Sequence, residues 1–446
     1  MRKNRVDIIT LGCSKNLVDT ERLMCQFRLN GYTVAHDPAK VNGEIVIVNT
    51  CAFIGDAQEE SVNAILDLED AKRRGSIGKL FVMGCLSERF RDELQKELPF
   101  VDRFYGKFNW KELLHDLGKP YHQTHAADRV ITTPPHYAYL KISEGCDRTC
   151  AYCSIPFITG RHRSRHEEDI LDEVRRLVDR GVKEFQLIAQ DLTYYGMDLY
   201  HKPSLPALVE KISDVQGVEW IRLHYAYPSH FPFDLLRVMR ERDNVCRYLD
   251  IALQHISDPV LQRMRRNTSR RETWQLIERL RDEVPGIHLR TTLMTGFPGE
   301  TERDFDELLQ FVREVRFERL GAFAYSHESG TYAGENCCDD VPDDVKRERL
   351  DCLMHIQEII ARELNDEKTG RIYKTVVDRE ESDYFVGRTE FDSPEVDPEV
   401  LISKERRLKT GCFYDVEIKS AEAFELYGKI LNYHKKNKPA CRIVKK

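Results

Sequence analysis

From residue 6 to residue 325, short apolar β-branched runs alternate with amphipathic helical stretches. This rhythm constrains the fold more tightly than any other feature of the chain. In the first part, candidate strands at 6–11, 44–49 and 79–83 are followed by helical segments at 15–30, from about 56 to 75, and at about 87–98. Strands that are apolar throughout and separated by helices belong in a parallel sheet covered on both faces. The polar stretch YHQTHAADRVITTPP (121–135) has no periodicity and closes on a Pro-Pro pair, so it reads as a linker. Its His122 and His125 have a spacing that suits a metal, but isolated linker histidines are ordinarily solvated. The alternation then resumes with six candidate strands at 137–142, 184–189, 220–225, 248–253, 288–294 and 320–325, separated by helices such as 167–180, 205–213, 271–283 and 302–315. Without a Gly-rich dinucleotide fingerprint, six such units predict an open, partial βα barrel.

Cysteine placement gives the alternation its chemistry. One cysteine directly follows each of the first three strands: Cys13 in LGCSKN, Cys51 in NTCAF and Cys85 in MGCLSER. The carboxyl ends of parallel strands share one crevice, so topology predicts that these three meet although they are far apart in sequence. The glycines before Cys13 and Cys85 are expected to let the backbone approach a bulky ligand. After the first strand of the second series comes KISEGCDRTCAYCSIPFITGRHRSR (141–165), where Cys146, Cys150 and Cys153 are separated by three and two residues. Three thiolates this close make no satisfying disulfide set, and a tetrahedral zinc site needs a fourth ligand. On a four-iron cluster three ligands leave one iron open. A structural zinc knuckle or a cluster of buried thiols is the plainer alternative. Polar residues follow the later strands: Gln190 and Asp191, His224, Gln254 and the turn 296–300. In βα barrels these positions line the active site. The turn GFPGET also has a purely structural reading, a Pro-Gly turn entering a helix capped by Thr301.

Residues 341–368 read as one long charged helix along the outside of the barrel. Beyond it, alternating strands at 374–378, 384–389, 399–402 and 413–420 predict a small OB-like β-barrel. The expected domains are therefore 1–120, 136–370 and 371–446, an α/β chain ending in a β module. No run approaches the ~18 apolar residues of a membrane helix, no signal peptide is expected, and the cysteines suit a reducing, cytoplasmic setting. The formal charge of −7 argues against a dedicated nucleic-acid binder. Residues 371–434 carry 10 Lys plus Arg against 14 Asp plus Glu, a net −4, while the tail adds Lys435, Lys436, Lys438, Arg442, Lys445 and Lys446. An acidic barrel is a poor clamp for RNA and suits a basic protein partner.

Taken together, LGCSKNLVDTE, KISEGCDRTCAYCSIP, AQDLTYYG, YLDIALQHISD and GFPGETERDFDEL resemble the methylthiotransferase family of radical S-adenosylmethionine enzymes, over essentially the whole chain. The resemblance implies an N-terminal methylthiotransferase domain, a central radical barrel and a C-terminal TRAM barrel. The phrases are most similar to the branch that modifies an aspartate of ribosomal protein S-12; the runner-up branch modifies a tRNA adenosine. Ser14 and Ala252 stand where the family often has proline.

The resemblance further implies two 4Fe-4S clusters, on Cys146, Cys150 and Cys153 and on Cys13, Cys51 and Cys85. The first would reduce S-adenosylmethionine to give a 5′-deoxyadenosyl radical that takes hydrogen from the substrate. The second would be the source of sulfur, and a second S-adenosylmethionine the source of methyl. Tyr152, Gln190, Asp191, His224, Gln254 and Gly296 are the expected contacts to S-adenosylmethionine. No side chain is assigned as an acid or base, since an aliphatic C–H beside a carboxylate is beyond a base matched to neutral pH. An external electron donor and a sulfur donor are implied partners. Two other classes, an RNA-binding protein with structural metals and a two-cluster electron carrier, would each predict four protein ligands per centre. Cys25, Cys246, Cys337, Cys338, Cys352, Cys412 and Cys441 are expected to be structural or incidental.

Overall fold

A computed structural model describes residues 1–433; the basic tail and Cys441 lie outside the described residues. The N-terminal sheet is all parallel, in the order β2-β1-β3-β4-β5, with β1 Arg2–Thr10, β2 Thr33–His36, β3 Gly43–Thr50, β4 Lys79–Gly84 and β5 Arg103–Phe104. Three of these strands match the sequence expectation. β2 and β5, of four and two residues, are too short to carry a periodic signal. Helices α1 (Ser14–Leu29), α2 (Gly55–Arg73) and α3 (Cys85–Glu97) follow β1, β3 and β4. Val46, Val48, Leu80 and Val82 pack on one face of the sheet, and Val6, Ile8, Ile45 and Ile47 on the other.

The central sheet has six parallel strands in sequence order: β6 Tyr137–Lys141, β7 Glu184–Ile188, β8 Trp220–Ala226, β9 Val245–Gln254, β10 His288–Thr295 and β11 Arg319–Ala324. β6 and β11 do not pair, so the barrel is open. Its outer face forms the largest core, with Leu140, Leu187, Leu223, Leu249 and Leu293 under the helices. Thr301 and Asp304 form a capping box at the start of helix Glu302–Val315, and Ser269 and Glu272 another at Arg270–Glu283. Each such cap contributes ~1 kcal/mol. The long helix α4 (Asp343–Asp366) packs along the outside against β10 and β11.

The linker is tied down rather than free. Arg129 is buried between Glu21 (3.4 Å) and Glu173 (3.1 Å), and Gln26 on α1 donates to the carbonyls of His122 and His125. His125 pairs with Asp128 (2.7 Å), and neither histidine joins a metal-binding group among the described residues.

The C-terminal barrel closes through five strands, β12 Ile372–Glu380, β13 Tyr384–Thr389, β14 Glu399–Ser403, β15 Phe413–Ala421 and β16 Glu425–Tyr433, in the order β12-β13-β14-β16-β15. Sequence reasoning missed β16, whose parallel pairing with β14 completes the closure. This barrel sits against the amino ends of the central strands. Trp220 meets Phe413 edge-on at 4.8 Å, and His288 stacks on Phe391 at 4.0 Å. The charge count of this module needs correction. Asp378 pairs with Arg388, Asp392 with Arg319 and Asp397 with Arg290, all buried at the interface. Those carboxylates are not available to a partner, so net −4 overstates the outward charge.

Candidate active site

The carboxyl edge of the N-terminal sheet faces the carboxyl end of the central barrel. On one side of the opening, α1 packs on β6 with Val18 against Tyr137, Tyr139 and Ile188. On the other, Arg89 of α3 donates to Glu328 (2.8 Å), just beyond β11, and Gln58 of α2 joins the same carboxylate. The N-terminal domain thus bridges the two unpaired edges of the open barrel.

Cys13 precedes α1, Cys51 follows β3, and Cys85 starts α3. Asn16 knits them together: its Nδ2 donates to the carbonyls of Leu11 (3.1 Å) and Thr50 (3.0 Å), and its Oδ1 lies 3.6 Å from Cys85 Sγ. Gly12 has φ +87°, and a Cβ there would stand 2.6 Å from Cys51 Sγ. Gly84 (φ +100°) is likewise pressed against Thr50. What these glycines admit is the neighbouring strand end, where the sequence suggested a ligand. Burial raises the Cys13 thiol, but Lys15, Lys107 and the backbone N–H groups of Asn16 and Lys15 outweigh it and hold the pKa below its ordinary value. Burial pushes Cys51 up and takes Cys85 to about 12.

In the central loop, Cys146 Sγ accepts from the Arg148 N–H (3.4 Å), and Cys150 Sγ accepts from Arg266 (3.5 Å) and lies 3.7 Å from Tyr227 Oη. Burial pushes Cys146 and Cys153 up to about 12. Giving up those protons requires positive charge, and Arg148 and Arg266 supply it. Their guanidiniums lie over the Tyr227 ring at 4.2 and 4.1 Å.

The predicted polar contacts divide into two groups. Tyr152 Oη meets Arg266 (3.4 Å) and its ring meets Phe297 edge-on. Gln190 donates to Glu144 (2.6 Å), and Asp191 accepts from Arg148 (2.8 Å) and Thr193 (2.9 Å), so both steady the cysteine loop. Gln254 ends β9 in a left-handed conformation (φ +72°) with its Oε1 buried and unpartnered. His224 lies deeper, hydrogen-bonded to Gln186 (2.7 Å), and burial, then Arg222, holds it well below its ordinary pKa. Gly296 is packed against Lys346 of α4 and donates its N–H to Glu300 (3.0 Å). Glu300 is held in turn by Arg349 (2.8 Å), which gives this turn a structural task.

Sequence reasoning missed three contributors: Asn16, Arg266 and Lys107. Asn16 stands inside the quoted LGCSKN stretch, and Lys107 at the end of a further strand of the same sheet; Arg266 carried no signal. A cavity of about 430 Å³ beside Arg129, Glu173 and Arg180 lies apart from both triplets.

Residues 140–312 match the Radical SAM superfamily, residues 5–106 the family described as uncharacterized protein family UPF0004, and residues 369–431 the TRAM domain. Curated relatives called ribosomal protein uS12 methylthiotransferase RimO extend over the full length. The protein of Parabacteroides distasonis is 68% identical, covering 97% of this chain and 100% of its own. That of Flavobacterium johnsoniae is 51% identical, covering 96% and 98%. Among solved structures, the radical S-adenosylmethionine methyltransferase TsrM from Kitasatospora setae aligns with TM-score 0.54 at 15% identity, over 75% of this chain and 77% of that one, a likeness of fold alone. Identity of this extent over whole chains settles membership: the chain belongs to the RimO family of ribosomal protein uS12 methylthiotransferases, within the radical SAM superfamily.

Proposed function

We propose that this protein places a methylthio group on the β-carbon of an aspartate of ribosomal protein uS12, using two 4Fe-4S clusters and S-adenosylmethionine. The observation that carries the reading is the meeting of the two strand-end faces, where Lys107 stands between Cys85 and Glu144, two residues before Cys146. The donor sets fit the clusters. Each triplet offers three sulfurs, and each has cations or N–H groups beside the sulfur to offset thiolate charge. When bound, the central cluster supplies an electron to S-adenosylmethionine and the N-terminal one supplies sulfur.

The chain's own residues bind and orient. Arg148 and Arg266 place hydrogen-bond donors beside Cys146 and Cys150, and Asp191 and Gln190 fix Arg148 and Glu144 in turn. Tyr152, Gln190, Asp191, His224, Gln254 and Gly296 remain our assignment for the S-adenosylmethionine side. The buried Oε1 atoms of Gln190 and Gln254 have no partner among the described residues and suit an ammonium donor. No side chain is assigned as acid or base.

The domain limits we adopt are 1–120, 136–370 and 371–446. An external electron donor and a sulfur donor complete the system, which we place in the cytoplasm; no helix among the described residues is long and apolar enough to cross a membrane. The test is a competition assay of anaerobically reconstituted protein, offering unmodified uS12 or small subunits against bulk tRNA. Mass spectrometry should find the methylthio group on uS12; modification of tRNA alone overturns the reading.

A further inference from the structure

Four adjacent strands of the N-terminal sheet end at one edge, in the order β1, β3, β4, β5. The first three deliver Cys13, Cys51 and Cys85. The fourth delivers Lys107. This lysine is 3% exposed, and its Nζ lies 3.9 Å from Cys85 Sγ, 3.8 Å from Asp19 Oδ2 and 3.7 Å from Glu144 Oε1. Among the described residues its one side-chain hydrogen bond is the long one to Cys85. Lys141, its neighbour, behaves differently: it closes on Asp19 and reaches Glu144 at 2.6 Å. A buried ammonium is costly unless tightly paired, yet Lys107 stands back from three partners at nearly equal distance.

Its backbone is held deliberately. The Lys107 N–H donates to Glu88 of α3 at 2.8 Å, and a Cβ on Gly106 would collide with that same carboxylate. Glu144 is held as firmly, accepting from Lys141 and from Gln190 at 2.6 Å each. Lys107 therefore joins two rigid pieces, one bearing Cys85 and the other leading into Cys146.

We propose that Lys107 is a positioning residue: acting through Cys85 and Glu144, it fixes the separation between the N-terminal sulfur site and the central cysteine loop. The inference rests on the function proposed above, in which hydrogen removal and sulfur delivery converge on one carbon. Such steps need reacting atoms within roughly 3–3.5 Å, and two domains joined by a linker hold that register only if something pins them at the junction. The Arg89–Glu328 pair pins the opposite side. The ammonium also favours the more negative, reduced state of whatever group Cys85 holds.

The test uses the full chain with Lys107→Met and Lys107→Arg. In the metal-free protein, hydrogen exchange should rise in K107M at both 85–91 and 143–150, and in K107R far less. After reconstitution, K107M should keep its iron while the methylthio product formed per S-adenosylmethionine cleaved falls by roughly tenfold or more, a loss equivalent to at least one power of ten in the coupled step. The potential of the N-terminal cluster should move negative, that of the central one should not, and K107R should recover most of the product ratio. An unchanged ratio, equal shifts of both potentials, or a ratio that falls only with lost iron and is not rescued by arginine overturns the proposal. If K107M does not fold, Glu144→Gln serves: a lowered ratio with intact iron supports the proposal, a wild-type ratio overturns it. Absence of any uS12 product from the wild type would count against the proposed function, whereas exchange and potentials still decide the role of Lys107.

Discussion

At the amino ends of the central strands, Arg388 from the C-terminal barrel donates to Glu184 (2.9 Å) and Asp378 (2.6 Å), Arg319 to Asp392 (2.5 Å), and Tyr248 to Asp397 (2.8 Å). At the carboxyl ends of the same strands, Gln190 and Gln254 each keep a buried oxygen unpartnered, Lys107 stands back from its anions, and Tyr225 and Gln254 adopt left-handed backbone at shifts in strand register. One end closes its carboxylates onto arginines in short pairs, which serves cohesion. The other leaves donors, acceptors and strain available to a bound group. Both ends are rich in buried polar side chains; what sets the first apart is its concentration of arginine–carboxylate pairs between the barrel and the central strands.

The largest expected effects lie at the open end. Alanine at Cys146, Cys150 and Cys153 should remove about half the iron and abolish reductive cleavage of S-adenosylmethionine. Alanine at Cys13, Cys51 and Cys85 should remove the other half and spare cleavage. Iron analysis and product chromatography read both, and full iron in the second variant would break the comparison at its root. Next comes the closed end. Arg388→Met breaks the bridge between Glu184 and Asp378 and leaves them with Arg222 (3.2 Å) and His136 (2.7 Å) alone, which should cost about 3 kcal/mol in denaturant unfolding. The product formed per S-adenosylmethionine cleaved should stay as in the wild type. A change in that ratio would mean the two ends are not separable.

A smaller effect sharpens the open end. Gly12→Ala should cost about 1–2 kcal/mol for left-handed backbone and displace Cys51, so iron should fall at the N-terminal site alone. A last effect, spread over the pH range rather than read at one pH, is a slope at the closed end. Burial, reinforced by Arg319, brings buried Lys368 down to about 7. The unfolded chain keeps that proton up to about 10.4, so between these values the unfolded state binds more protons and stability rises with pH. The contribution is complete above the upper value and is lost as pH falls through the lower one. Lys368→Met should remove the slope, as followed by unfolding at several pH values.

Much of the open end was legible in the chain because its signals are periodic. Apolar strands with a cysteine after each predict a shared edge, and the residues of LGCSKN, NTCAF and MGCLSER do meet. Lys107 escaped because the strand before it is two residues long, below the length at which alternation can be seen. Arg266 follows a short helix and reaches Cys150 from 116 residues away, a contact no local pattern announces. Asp191 and Gly296 were read from their positions, yet their partners, Arg148 and Lys346, become visible only in three dimensions. The closed end was the least legible. Net charge places every acidic residue on a surface, whereas Asp378, Asp392 and Asp397 face inward to arginines of other strands.

The central claim is that the two cysteine triplets act on one carbon of one protein aspartate. It is tested most directly with uS12 deuterated at the aspartate β-carbon, treated with the reconstituted wild type and with the Cys13, Cys51, Cys85 alanine variant. The wild type should deliver deuterium into 5′-deoxyadenosine and leave a methylthio group on the same aspartate; the variant should transfer deuterium and add no sulfur. A methylthio group made by the variant, or product from the wild type with no deuterium transferred, would contradict the account.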